Sequence, residues 1–117
     1  MALLLPDGND VDSLVSRTPE RGHALVYKHS PICDLSARAL REVRRFADAH
    51  PEVPVFVIDV IARRRLSSDL ARVLTVPHAS PQVLWLTDRK VIRNASHFRI
   101  STDLLERFHA ETAENRN

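Results

Sequence analysis

At 117 residues, with 44% hydrophobic content and only 2 glycines, the chain reads as one ordered domain spanning 1–117, and a disordered or low-complexity polymer is excluded. Seventeen basic against 15 acidic residues leave a net charge of +2, and 5% aromatics supply few stacking platforms, so no nucleic-acid partner is expected. A lone cysteine rules out an internal disulfide framework and suits a reducing cytoplasm, and no apolar run is long enough for a membrane span.

Residues 1–9 show no clear period, and Pro6-Asp7-Gly8-Asn9 reads as a turn; flexible ends are expected over 1–9 and 114–117. Val11 to Val15 suits a short helix that stops near Thr18-Pro19. Ala24 to His29 is apolar-rich and suits a central strand. From Cys33 the pattern turns helical, with Ser36, Leu40, Val43 and Ala47 on one face and Arg38, Arg41 and Arg45 on another. His50-Pro51 and Pro54 end that helix.

Val55 to Val60 is nearly continuous in apolar character, as a parallel strand covered on both faces should be. Ser67 or Ser68 is the expected cap of a short helix with Leu70, Val73 and Leu74 on one stripe. Val83 to Leu86 and Val91-Ile92 read as two strands of a hairpin around Thr87-Asp88-Arg89-Lys90, although no Asn-Gly or Asp-Gly fixes the turn. Ser101-Thr102-Asp103 opens a last helix with Leu104, Leu105 and Phe108 inward, and His97 is expected to pack beneath it. A right-handed crossover makes the first two strands parallel and the short connection makes the last two antiparallel. The expected fold is therefore α/β: a thioredoxin-like, mixed four-stranded sheet, with room for an extra N-terminal strand and helices on both faces.

That order places Cys33 where the first strand gives way to a helix, at the carboxyl end of the sheet. A sulfur there meets the positive end of the peptide dipoles and open backbone N–H groups, which favour thiolate over thiol. The Ser36 hydroxyl, one turn on, is expected to donate a hydrogen bond to it. Asp34 works the other way, since a carboxylate beside the sulfur disfavours a second negative charge. The alternative is that Cys33 is a small buried hydrophobe. Ser80-Pro81 stands at the entrance of the third strand, and the strand order together with Cys33 favours a cis bond there. The Ser80 backbone would then pair with an extended substrate. A ligand set drawn from His29, Cys33, His78 and His97 matches no compact zinc spacing, so no metal is expected.

Three blocks now resemble one family. Lys28-His29-Ser30-x-x-Cys33-x-x-Ser36, His78-x-Ser80-Pro81-Gln82 and Ala95-Ser96-His97-Phe98-x-Ile100-Ser101 resemble the monothiol bacilliredoxins, the YtxJ-type thioredoxin-like proteins of the bacillithiol system. The usual Thr-Cys-Pro-Ile-Ser motif reads Ile32-Cys33-Asp34-Leu35-Ser36 here, with Ala79 in place of glutamate and Phe98 in place of tryptophan. The resemblance implies a cytoplasmic monothiol thiol–disulfide oxidoreductase with Cys33 and Ser36 as its catalytic pair. It would act without a bound cofactor and use bacillithiol as co-substrate. Its partners would be bacillithiolated client proteins and a low-molecular-weight thiol, its state a monomer. Lys28 or Arg38 would hold the carboxylates of the bacillithiol malate group. Two rivals stand beside this reading: a thiol peroxidase, from Ser30-x-x-Cys33, and a non-catalytic binding module or metal-cluster carrier.

Overall fold

The computed structural model describes residues 3–6 and 10–114. Its elements are β1 (Leu3–Leu4), α1 (Val11–Ser16), β2 (His23–His29), α2 (Asp34–Ala49), β3 (Val55–Asp59), α3 (Arg64–Val73), β4 (Gln82–Thr87), β5 (Lys90–Ser96), a 3-10 turn (His97–Arg99) and α4 (Thr102–Glu114). The sheet has five strands in the order β1-β3-β2-β4-β5, so the N-terminal strand is present. β2 runs parallel to β3 and antiparallel to β4, and β5 closes the hairpin. The expected Pro6–Asn9 turn falls largely outside the described residues, as does most of the expected C-terminal flexible end.

β2 is central because its residues are apolar on both faces. Leu25 and Tyr27 face the layer of α2 and α4, in one core with Phe46, Trp85, Leu105 and Phe108. Ala24 and Val26 face α1 and α3, in a second core with Phe56, Leu66, Leu70 and Leu84. The period of two along a strand thus divides the interior between two helical layers. β5 is an edge strand whose Lys90, Ile92 and Asn94 are exposed, which breaks any continuous apolar rim.

Several local expectations are corrected. α3 begins at Arg64, with Arg63 rather than Ser67 or Ser68 at its N-cap. The turn before it is organised by Asp59, whose Oδ1 accepts the N–H groups of Ile61 and Ala62 and whose carbonyl accepts that of Arg63. The helix therefore starts earlier, and Ser67 is buried inside it. Val73 is 48% exposed, off the apolar stripe. His97 does not pack under α4: it is exposed, at φ 58, and opens the 3-10 turn.

The hairpin turn is of the mirror-image type, with Asp88 at φ 52 and Arg89 at φ 69. Aspartate tolerates that region and arginine does not favour it, and contacts to α1 and the α1–β2 connection hold both there. Asp88 Oδ1 accepts the Gly22 N–H at 2.8 Å, and the Asp88 N–H returns to the Gly22 carbonyl at 2.8 Å. Arg89 donates to the carbonyls of Thr18 and Ser16.

Candidate active site

α2 starts where it does because Cys33 is extended (φ −116, ψ 122) and passes its carbonyl to the Ala37 N–H at 3.1 Å. Asp34 occupies the first helical position, where a carboxylate suits the helix dipole. Cys33 is the N-cap residue, and its side chain makes no capping hydrogen bond. The first-turn N–H groups of α2 are thus not capped by a side chain beside a half-buried sulfur.

The sheet register brings the other site segments to the same end. Lys28 pairs with Gln82 and His29 with Asp59, so the residues just before β4 lie level with the end of β2. Those residues are Ser80 and Pro81, and their peptide bond is cis. The Pro81 carbonyl accepts the His97 N–H at 3.0 Å, which brings the 3-10 turn to this end as well. Ile32 (85% exposed) and Phe98 (77%) are the most exposed large apolar side chains among the described residues. The Ser80 hydroxyl oxygen is buried and has no hydrogen-bond partner.

The structure corrects two expected roles. Ser36 is fully buried, and its Oγ accepts the Ser30 N–H at 3.2 Å; no hydrogen bond joins it to the Cys33 sulfur. Its work is to pin the loop that carries the cysteine. Lys28 does not reach the surface to meet a ligand carboxylate. As an even-numbered β2 residue it points into the α3 layer, fully buried. There Nζ donates to the Ser67 carbonyl at 3.0 Å and to His78 Nδ1 at 3.2 Å. Burial pushes the lysine down to about 8. Burial, and then the Lys28 charge, also lowers His78. Lys28 therefore ties β2 to the segment leading into Ser80-Pro81. Arg38 stays half-buried and uses one N–H on the Ile100 carbonyl at 3.2 Å.

On the opposite face lies a network that the sequence reading passed over. Tyr27 Oη donates to the Ser36 carbonyl at 2.9 Å and lies 2.9 Å from His29 Nδ1. A carbonyl can only accept, so the single phenol proton is spent there and His29 Nδ1 must carry the proton it shares with Tyr27. Burial lowers His29 despite the opposing charge of Asp59, leaving a neutral ring with Nε2 as the open acceptor. Burial, first, raises the Tyr27 phenol; the Ser36 side-chain hydroxyl works against it and the Cys33 charge adds to it. The signal was legible: Tyr27 and His29 are two apart on a strand, hence on one face, pointing at the helix that Cys33 caps.

A family model described as monothiol bacilliredoxin BrxC matches residues 4–105. The chain belongs to the monothiol bacilliredoxin family. A protein described as having a thioredoxin fold is similar over 91% of this chain and 92% of its own, at 24% identity and a TM-score of 0.79. The thioredoxin of Fasciola hepatica covers 95% of this chain and 98% of its own at 20% identity, TM-score 0.69. A point mutant of the Halobacterium salinarum thioredoxin covers 94% and 89% at 17% identity, TM-score 0.73. These likenesses show the fold, and with the family they make this bacilliredoxin relative a thiol redox protein. Among the described residues, no helix is long and apolar enough to cross a membrane.

The other polar features do not join the site. His29, Cys33, His78 and His97 form no common donor set. Among the described residues, the one group close enough to hold a metal ion is His50, Glu106 and His109. Arg63, Arg64 and Arg65 line an open cavity of about 510 Å³ with Asp10, Leu66 and Asp69, where the two acids offset the basic run.

Proposed function

We propose that this protein is a monothiol oxidoreductase that removes bacillithiol from client proteins carrying it as a mixed disulfide. The observation that carries the reading is the position of Cys33: a half-buried N-cap of α2 at the sheet end where the cis Ser80-Pro81 bond leads into β4. The Cys33 thiolate attacks the bacillithiol sulfur of the mixed disulfide. One S–S bond forms as the other breaks, and the client leaves as its thiolate. Cys33 is then itself bacillithiolated. No other cysteine exists in the chain to displace the adduct, so a second bacillithiol must. Its thiolate attacks the adduct, Cys33 leaves as thiolate, and bacillithiol disulfide carries away the oxidation.

In this reading the Ser80 backbone pairs with the client segment as an added strand, and Ile32 and Phe98 flank it with apolar surface. Ser36 holds the cysteine loop through Ser30, and Arg38 supplies the cation for the malate carboxylates. Lys28 is not part of that contact; it acts from beneath, through His78. The test mixes the reduced protein with a bacillithiolated client and follows intact masses of both. The adduct is expected to move onto Cys33, to be discharged by added bacillithiol, and not to move in Cys33→Ala. A client that keeps its adduct while Cys33 alkylates readily would overturn the proposal.

A further inference from the structure

At the far end of α2 from the cysteine, two histidines and two glutamates converge from two separate elements. His50 is the C-cap of α2 and Glu52 follows it by two residues; Glu106 and His109 stand one turn apart on α4 and so share a face. His50 Nε2 lies 2.6 Å from Glu106 Oε1, and His50 Nδ1 lies 3.1 Å from Glu52 Oε2. His109 Nε2 is 3.9 Å from the same Glu52 oxygen. One donor atom each from His50, Glu106 and His109 falls within 4.8 Å of the other two.

We propose that His50, Glu106 and His109 form a binding site for a divalent transition-metal ion, best matched by zinc, with Glu52 as the outer carboxylate that orients His50. The donor set is two imidazoles and a carboxylate. It suits zinc, whereas calcium and magnesium prefer oxygen alone and copper(I) prefers sulfur. Two imidazoles bound to one zinc at ~2.0–2.1 Å place their ring centres roughly 4.5–5.5 Å apart. Those of His50 and His109 are 4.6 Å apart at 62°. Tetrahedral donors on zinc are roughly 3.3 Å apart, so the three side chains close by an ångström or so around the ion.

The histidine rings are held in place before any ion arrives. Phe46 stacks on His50 at 4.6 Å, and Trp85 meets His109 at 5.8 Å. Both histidines are about three-quarters or more buried on the side-chain level, at 19% and 25% exposure. Glu52 on His50 Nδ1 completes the carboxylate–histidine–metal arrangement that fixes a ligand's tautomer and ring plane. Three protein ligands leave a coordination position for water. The 16 residues of α2 separate this cluster from Cys33 by roughly 24 Å, so the ion would staple α4 to the end of α2 and is no ligand of the thiol.

The test is a zinc titration by calorimetry near neutral pH, on the chelator-treated full chain carrying Cys33→Ser so that thiol coordination cannot contribute. One zinc per chain is expected, binding at micromolar concentration or tighter, with a rise of several degrees in the unfolding midpoint. His109→Gln and Glu106→Gln should each weaken binding at least about tenfold, and Glu52→Gln by about tenfold. His97→Gln, an exposed histidine outside the cluster, should leave it unchanged. Nickel should quench the fluorescence of the one tryptophan, Trp85, in the parent and not in His109→Gln. No saturable uptake below about 100 µM, or uptake unaltered in either His109→Gln or Glu106→Gln with the fold intact by circular dichroism, would overturn the site. The cluster would then be an ion-paired brace between α2 and α4.

Discussion

Replacing Lys28 with methionine tests the most unusual buried group in the molecule. Methionine keeps the length of the stem and removes the ammonium. Burial moves the lysine from 10.5 to about 8, and at about 1.4 kcal/mol per pH unit the charged form costs the native state roughly 3 kcal/mol. The residue is fully buried, so solvent screening does not discount that figure. The unfolded chain keeps the proton up to about 10.5 and the native chain releases it near 8. Between those values the unfolded state binds more protons, so wild-type stability climbs with pH across the window. Lys28→Met has no such proton and should lack the climb. At pH 7 the variant gains by losing the buried charge, less about 1 kcal/mol for the bond to Ser67, while water takes over at exposed His78. The stability difference between the two proteins should therefore swing by roughly 3 kcal/mol from pH 7 to 10.5. Urea unfolding at stepped pH, read by Trp85 fluorescence, measures it. Other titrating groups are common to both proteins and cancel. A difference that stays constant over the window would refute the account.

Glu42 accepts the Thr102 N–H at 2.9 Å and its hydroxyl at 3.0 Å, and that backbone bond holds its carboxyl below the usual range. Glu42→Gln should cost about 1–2 kcal/mol at pH 7, with a deficit that fades as pH falls through the native carboxyl's titration; equal deficits at pH 7 and pH 3 would contradict this. Tyr27→Phe removes the link from β2 to the Ser36 carbonyl, and should destabilise by about 1–2 kcal/mol and slow adduct transfer to Cys33. Stopped-flow mixing with a mixed disulfide would expose an unchanged rate. Gly22 sits at φ 136, and an added Cβ would meet Pro19 Cγ at 3.4 Å. Gly22→Ala should lower stability by about 1–2 kcal/mol in a denaturant titration, and a neutral result would argue against strain at that turn.

The strands and helices around Cys33 were legible because each carries a clear pattern: Val55 to Ile58 runs apolar on both faces, and α2 buries Ala39, Val43, Phe46 and Ala47 at helical spacing. What the sequence reading missed was one local turn and several partners distant along the chain. The start of α3 is set by Asp59, whose side chain closes a local turn, whereas the hairpin turn is held by Gly22, 66 residues away from Asp88. The family resemblance offered Lys28 to a ligand carboxylate, yet strand alternation sends it into the α3 layer and leaves it to Ser67 and His78. Ser36 matched a motif position by type, but its depth beneath the loop decides what its hydroxyl can touch.

Tyr27 and Lys28 are adjacent in the chain yet wired to opposite faces of the sheet, one to the helix that Cys33 caps and the other to the segment leading into the cis Ser80-Pro81 bond. A single substitution at either residue thus perturbs one of the two segments through its own hydrogen bonds. Such separability lets the cysteine loop and the bend before β4 be perturbed one at a time, and it gives the proposed thiol exchange and the proposed strand pairing independent handles.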